Sequence, residues 1–220
     1  MNKWLGRFCI RFSVIIVCYQ NDMVSCMNQT NLNIVNWSSI PTPHDDGRAS
    51  HLCGMPVPAI RLKSTNGKYT DISSLSGITV IFAYPMTGRP DTTLPDGWDQ
   101  IPGARGCTPQ SCSFRDLYGE MKFLGMENLF GLSTQNTKYQ REAVERLYLP
   151  FPMLSDLNLK LVTALNMPTM IVGEMTLLKR LTFVMNKGII KKVFYPVFPP
   201  DRNAIEVISY LRKCRESSLG

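Results

Sequence analysis

The sequence predicts a layered α/β domain. Three observations point there. Short continuous apolar runs, Thr79 to Tyr84 and Leu129 to Ser133, have the composition of strands buried on both faces. Charged amphipathic stretches such as Thr137 to Leu147 fall between such runs with helical spacing. Turn signals, Asn66-Gly67 and Asn186-Lys187-Gly188, punctuate the chain where the pattern changes. Strands alternating with helices place the helices on the faces of a central sheet. A chain of 220 residues, 44% of them hydrophobic, is long enough for one such domain with extensions.

Residues 1–26 are unlike the rest. Lys3, Arg7 and Arg11 precede an apolar stretch from Phe12 to Tyr19, the outline of a signal peptide, with no clean small-x-small cleavage site after it. The stretch is too short to span a membrane. A cleaved leader, a disordered tail and an over-extended start ahead of Met27 are the alternatives. Residues 27–58 carry Pro41, Pro43, Asp45-Asp46-Gly47, Pro56 and Pro58 and read as an irregular lead-in. The domain proper is expected over 59–214.

It begins with a hairpin, Ala59 to Lys63 and Tyr69 to Ile72, joined at Asn66-Gly67. The central strand Thr79 to Tyr84 follows. Residues 85–101 form a Pro/Gly/Asp loop without periodicity, longer than most loops that lack a function. A helix is expected from the Cys107 turn through about Phe123. A strand at Leu129 to Ser133, a helix at Thr137 to Leu147, a short strand at Pro152 to Asp156 and a helix at Lys160 to Asn166 come next. Arg180 to Met185 and Ile189 to Phe194 make a second hairpin, and Asp201 opens a last helix running to about Cys214. Parallel units followed by an antiparallel hairpin describe a thioredoxin-like fold: a central mixed β-sheet flanked by helices, here with an irregular N-terminal extension. The turn before Cys107 then falls at the carboxyl edge of the sheet, where α/β proteins place their sites.

Composition excludes several functions. The formal charge of +7 invites a nucleic-acid reading, yet the basic residues occur as scattered pairs, Lys179-Arg180, Lys191-Lys192 and Arg212-Lys213, and no aromatic-studded basic strand accompanies them. Both histidines, His44 and His51, lie in the lead-in, which argues against a Cys-His or Ser-His-Asp hydrolase and against a His-based metal centre. Seven scattered cysteines, an odd number with no Cys-x-x-Cys, make neither a disulfide framework nor a zinc ribbon and suit a reducing compartment such as the cytoplasm. Export is the alternative if residues 1–26 are a leader.

The informative pair is Cys107 and Cys112, in Gly106-Cys107-Thr108-Pro109-Gln110-Ser111-Cys112. Five residues along an α-helix separate Cα atoms by roughly 9 Å, and a disulfide tolerates at most about 7 Å. The pair can be two thiols in a helix or a disulfide in a melted turn, but not both at once. That suits a redox cycle better than a staple. Thr108-Pro109 reads as N-cap and first helical residue. Cys107 then sits at the positive end of the helix, with Arg105 nearby, and both effects favour a thiolate. Cys112, a turn further in beside Phe114 and Leu117, is expected to be less activated. The alternative is that both are ordinary buried cysteines.

At this point the chain resembles the peroxiredoxins, in particular the peroxiredoxin Q (bacterioferritin comigratory protein) type. The residues carrying the resemblance are Phe82-Ala83-Tyr84-Pro85, Gly106 to Asp116, Gly131-Leu132-Ser133-Thr134, Pro152-Met153-Leu154-Ser155-Asp156 and Lys179 to Val184, in the family's order over roughly residues 52–213. The resemblance implies that Cys107 is the peroxidatic nucleophile, that Cys112 resolves it, and that Arg180 holds the thiolate and polarises the peroxide; a surface ion pair on a strand end is the alternative for Arg180. Thr108, Arg105 and Pro85 are the candidate substrate-binding residues. The family pattern Pro-x3-Thr-x2-Cys is broken. Its threonine position is Ala104 and its proline position Gln100, with Pro85 displaced from the motif by an insert from about Met86 to Ile101. Thr87, Thr108 or a backbone N–H are the substitutes for the missing hydroxyl.

By that resemblance the chain is a thiol peroxidase for hydrogen peroxide and organic hydroperoxides. It would work through a Cys107 sulfenic acid and a Cys107–Cys112 disulfide, with thioredoxin or glutaredoxin as reductant. No metal, haem or flavin is implied, no nucleic acid or membrane partner is expected, and the assembly would be a monomer or weak homodimer. The competing functions are a thioredoxin-like disulfide oxidoreductase without peroxidase activity and a non-catalytic redox sensor.

Overall fold

The computed structural model describes residues 35–217; residues 1–26, read as a leader, a tail or an over-extended start, lie outside them. In chain order the elements are β1 (Arg61–Ser64), β2 (Tyr69–Asp71), β3 (Ile78–Ala83), α1 (Cys107–Asp116), α2 (Tyr118–Phe123), β4 (Met126–Ser133), α3 (Thr137–Arg146), β5 (Met153–Ser155), α4 (Lys160–Ala164), β6 (Thr169–Val172), β7 (Met175–Leu178), β8 (Leu181–Asn186), β9 (Ile189–Phe194) and α5 (Asn203–Ser217). The unit that begins at Ser38 is built on a seven-stranded sheet of order β2-β1-β5-β4-β3-β8-β9. β3, β4 and β5 run parallel, and the flanking β1 and β8 are antiparallel to them. This is the mixed sheet the sequence predicts.

Alternate side chains of β3 feed two cores. Ile81 and Ala83 join Leu132, Leu154, Leu161, Val162 and Phe183 on the α4 side, where Ala49 and Leu52 of the lead-in also pack. Val80, Phe82 and Tyr84 join Cys107, Cys112, Phe114, Met121, Ala143 and Val207 on the side covered by α1, α2, α3 and α5. Each fully buried aliphatic side chain contributes about 1.5–3 kcal/mol. The rings of Phe82 and Phe114 stack with centroids 4.4 Å apart, which pins α1 to the middle of the sheet.

Three expectations change. The helix after Cys107 is not continuous to Phe123. At Leu117 ψ rises to 7°, the Leu117 N–H turns to the carbonyls of Ser113 and Arg115, and the chain restarts as α2, which lets Met121 join the cluster that holds Phe114. The hairpin β6–β7 was not expected at all. Its strands meet at Gly173-Glu174, where Gly173 takes a φ of 58°, and the short apolar runs on either side carry the two-residue turn signal. The insert at 86–101 holds a 3-10 turn at Trp98–Gln100 with Trp98 buried against Met86, Ala104, Val172 and Leu177. It is further fixed by Thr87 N–H to Gln135 Oε1 at 3.0 Å and by Arg146 Nη2 to the Gly88 carbonyl at 2.9 Å. The insert is therefore a built part of the domain. No helix among the described residues is long and apolar enough to cross a membrane.

Candidate active site

The site lies where β3 ends and β8 and α1 begin. Gly106, not Thr108, caps α1; its φ of 109° belongs to the left-handed region, where a residue without Cβ is favoured. Cys107 is thus the first helical residue, Thr108 the second and Pro109 the third, two positions later than the capping pattern suggests. Proline is still tolerated there, because first-turn N–H groups have no intrahelical acceptor. The same geometry leaves the N–H groups of Cys107 and Thr108 pointing out of the helix start. Cys107 and Cys112 are both free thiols, 4% and 5% exposed.

Arg180 precedes β8 and is 3% exposed. Its Nη2 lies 3.2 Å from Cys107 Sγ. The same nitrogen reaches the carbonyls of Gly103 at 3.3 Å, Ala104 at 3.1 Å and Arg105 at 3.2 Å. Nη1 donates to Gln110 Oε1, one turn beyond Cys107. A buried guanidinium is strongly disfavoured unless its donors are taken up and a countercharge is at hand. Here carbonyls and an amide oxygen take up the Nη donors, Nε is left without a partner among the described residues, and the sulfur beside Nη2 is a group that becomes an anion on losing its proton. A surface ion pair on a strand end is not what Arg180 makes.

Cys112 sits in a different environment. It packs in the cluster of Phe82, Phe114, Leu147 and Phe151. Burial pushes its thiol up from the ordinary value, Asp116 adds to the rise, and Arg115 and Arg146 offset part of it. Inside the wound helix Cys112 is held as the thiol.

The other candidates fall as follows. The Arg105 guanidinium does not face the sulfur: its Nη1 pairs with Asp99 Oδ2 at 2.6 Å on the exposed face of the insert. Only its carbonyl enters the site. Pro85 is buried where the chain leaves β3, and Thr108 is half-buried. Ala104 is fully buried, and its carbonyl lies 3.6 Å from Cys107 Sγ. Thr87, one substitute for the missing hydroxyl, is fully buried with its oxygen 3.2 Å from Gln135 Oε1, so that hydroxyl is already engaged. His51 bonds the Leu165 carbonyl, behind α4.

The sequence reading missed Gln110, Thr182 and Asn203, all fully buried. Gln110 Nε2 donates to Asn203 Oδ1 at 3.0 Å, and the Thr182 hydroxyl donates to the same oxygen at 2.5 Å. A signal existed: Gln110 stands three residues after Cys107 and four before Phe114, so it shares the inward face of α1.

Comparison with known proteins now decides the family. The Redoxin family matches residues 52–208. The chain belongs to the Redoxin family. Among curated Redoxin relatives, the chloroplastic peroxiredoxin Q of Populus jackii is 29% identical over 161 residues, covering 72% of this chain and 67% of the relative. The peroxiredoxin Q of Sedum lineare is 29% identical over 164 residues, 74% of this chain and 78% of the relative. The likeness to peroxiredoxin Q read from the motifs is borne out. Among solved structures, the peroxidoxin BcpB of Mycobacterium tuberculosis superposes with a TM-score of 0.60 at 24% identity, over 73% of this chain and 96% of that one. A Xanthomonas campestris peroxiredoxin Q does so with a TM-score of 0.57 at 21% identity, over 73% of this chain and 97% of that one. These neighbours bear out the thioredoxin-like fold of this Redoxin domain.

Proposed function

We propose that this site reduces hydroperoxides, with Cys107 as the attacking thiolate and Cys112 as its resolving partner. The chain is a thiol-dependent peroxidase. The observation that carries the residue roles is the Arg180 guanidinium 3.2 Å from a buried Cys107 sulfur at a helix start, with the second thiol in the same helix. A dithiol that only exchanges disulfides needs no buried cation on its sulfur, so the competing oxidoreductase reading is not favoured.

The cycle balances as three steps. Cys107 thiolate attacks the distal oxygen of ROOH; the O–O bond breaks, the sulfur becomes a sulfenic acid and RO⁻ leaves to be protonated. Negative charge grows on the leaving oxygen, where Arg180 and the N–H groups of Cys107 and Thr108 stabilise it. Thr108 is the hydroxyl that remains near the position of the missing threonine, and Pro85 supplies an apolar wall. Next the start of α1 unwinds, Cys112 thiolate displaces hydroxide from the sulfenic sulfur, and the disulfide forms. A dithiol then reduces it through a mixed disulfide. Thioredoxin or glutaredoxin is the proposed donor, a monomer or weak homodimer the proposed assembly, and a reducing compartment, the cytoplasm, the proposed setting.

The test mixes the reduced full chain with hydrogen peroxide and follows thiol loss, trapping any sulfenic acid with a dimedone-type probe. Rapid loss of two thiols per peroxide, with the probe on Cys107 when added early, is expected. Thiol loss no faster than for free cysteine sinks the reading.

A further inference from the structure

We infer that Asn203, held in place by Thr182, is a positioning residue for both halves of the peroxidase cycle, acting on them with opposite sign. The inference rests on the thiol-peroxidase reading and adds to it a control element on α5, away from the reacting atoms.

The chain of bonds has one possible polarity. Arginine has donors only, so Gln110 must turn its Oε1 to Arg180 Nη1. Its Nε2 then faces the other way and needs an acceptor, which is Asn203 Oδ1 at 3.0 Å. Asn203 must in turn present its oxygen on that side. The Thr182 hydroxyl, which can donate or accept, donates to the same Oδ1 at 2.5 Å and holds the side chain in that place. Asn203 Nδ2 points to Glu206 Oε2 at 3.4 Å. Turning over either amide would set donor against donor in a site where Gln110, Thr182 and Asn203 have no exposed surface. The orientation of the guanidinium at the sulfur is therefore set two residues away, by β8 and the first residue of α5.

Gln110 also lies between the two cysteines. Its bond to Asn203 ties the first turns of α1 to α5, and Cys112 cannot reach Cys107 while those turns are wound. Unwinding the segment removes Gln110 from Asn203 and from Arg180 together. One tether thus keeps Arg180 aimed while Cys107 meets peroxide and resists the opening that the disulfide needs. Weakening it slows the first step and speeds the second.

The experiment uses the reduced full chain and rapid mixing with hydrogen peroxide, quenched with an alkylating agent and read by mass as sulfenic acid and disulfide. Three variants are compared: Asn203→Leu, similar in size without the acceptor; Thr182→Val, which removes one of the two bonds to Oδ1; and Asn203→Asp, which keeps an accepting oxygen for Gln110 and Thr182 while giving up the donor to Glu206. Asn203→Leu is expected to slow Cys107 oxidation about tenfold, the ordinary worth of one hydrogen bond, while disulfide closure from the sulfenic acid quickens several-fold. Thr182→Val should move both rates the same way by less, and Asn203→Asp should return both towards the parent. Circular dichroism and thermal melting establish which variants fold; if Asn203→Leu does not, the two rates of Thr182→Val decide. Rates that fall together, or that do not move in a folded variant, overturn the inference. A parent protein that forms no sulfenic acid overturns the peroxidase reading instead.

Discussion

The two thiols of α1 share one helix and almost the same exposure, yet their surroundings differ. Cys107 stands at the helix start with a guanidinium on its sulfur. Cys112, a turn and a half later, has aromatic and aliphatic neighbours, and burial holds it as the thiol. Distance from solvent does not separate them. Position along the helix axis does: the first residue meets outward-pointing N–H groups and the loop carbonyls that seat Arg180, whereas the sixth lies among core side chains without a guanidinium on its sulfur. In the proposed cycle, the difference in reactivity follows from where the helix begins.

Exchanging the thiols one at a time gives the sharpest contrast. Cys107→Ser should abolish peroxide consumption altogether. Cys112→Ser should consume one equivalent and stop as the sulfenic acid. Peroxide assays with a thioredoxin-coupled regenerating system read both; turnover that survives in Cys107→Ser would reverse the assignment.

The next effect in size belongs to the cation. Arg180→Ala should slow the reaction of Cys107 with peroxide on the order of a hundredfold, the usual cost of one donor at a developing oxyanion. Arg180→Lys should recover part of that, since a point charge replaces a planar fork. Alkylation of Cys112 in the unfolded chain should be untouched by either change. Stopped-flow rates for the variants that equal the parent rate would place the activation of Cys107 elsewhere.

The smallest effect is structural. Closing the disulfide should raise amide exchange in residues 103–117 while β3 and β8 keep their protection. Peptide-resolved hydrogen exchange on reduced and oxidised protein measures it. Equal protection in both forms would mean that the two thiols are bridged without unwinding, against the geometry of a regular helix.

Much of this was legible in the sequence, for reasons visible in particular residues. The run Thr79 to Tyr84 is apolar on both faces because β3 is covered on both faces, and continuous apolarity is a local property. The pairing of Cys107 with Cys112 is likewise local, within one helix. The Arg105 error is instructive. Two residues of sequence separation placed its charge beside the sulfur, but Asp99, on the insert, draws the side chain outward. The capping pattern favours Thr108, while Gly106 adopts the left-handed backbone the turn requires. Asn203 was invisible for the opposite reason. Nothing in its neighbourhood marks it, and its role exists only because β8 and α1 converge on it from 21 and 93 residues away.

The three consecutive carbonyls gripped by Arg180 have a consequence for how the chain tolerates change. One nitrogen fastens Gly103, Ala104 and Arg105 to the start of β8, so the polypeptide is anchored just before Cys107 whatever route it took from β3. The sulfur's surroundings are thereby insulated from the length of the preceding loop. A spacing motif can be interrupted upstream, as it is between Pro85 and Pro102, and the anchoring still delivers the cysteine to the same place. The stretch between them can therefore differ in length while the cysteine downstream stays in register, provided the packing of Trp98 and the bonds of Thr87 and Gly88 are kept.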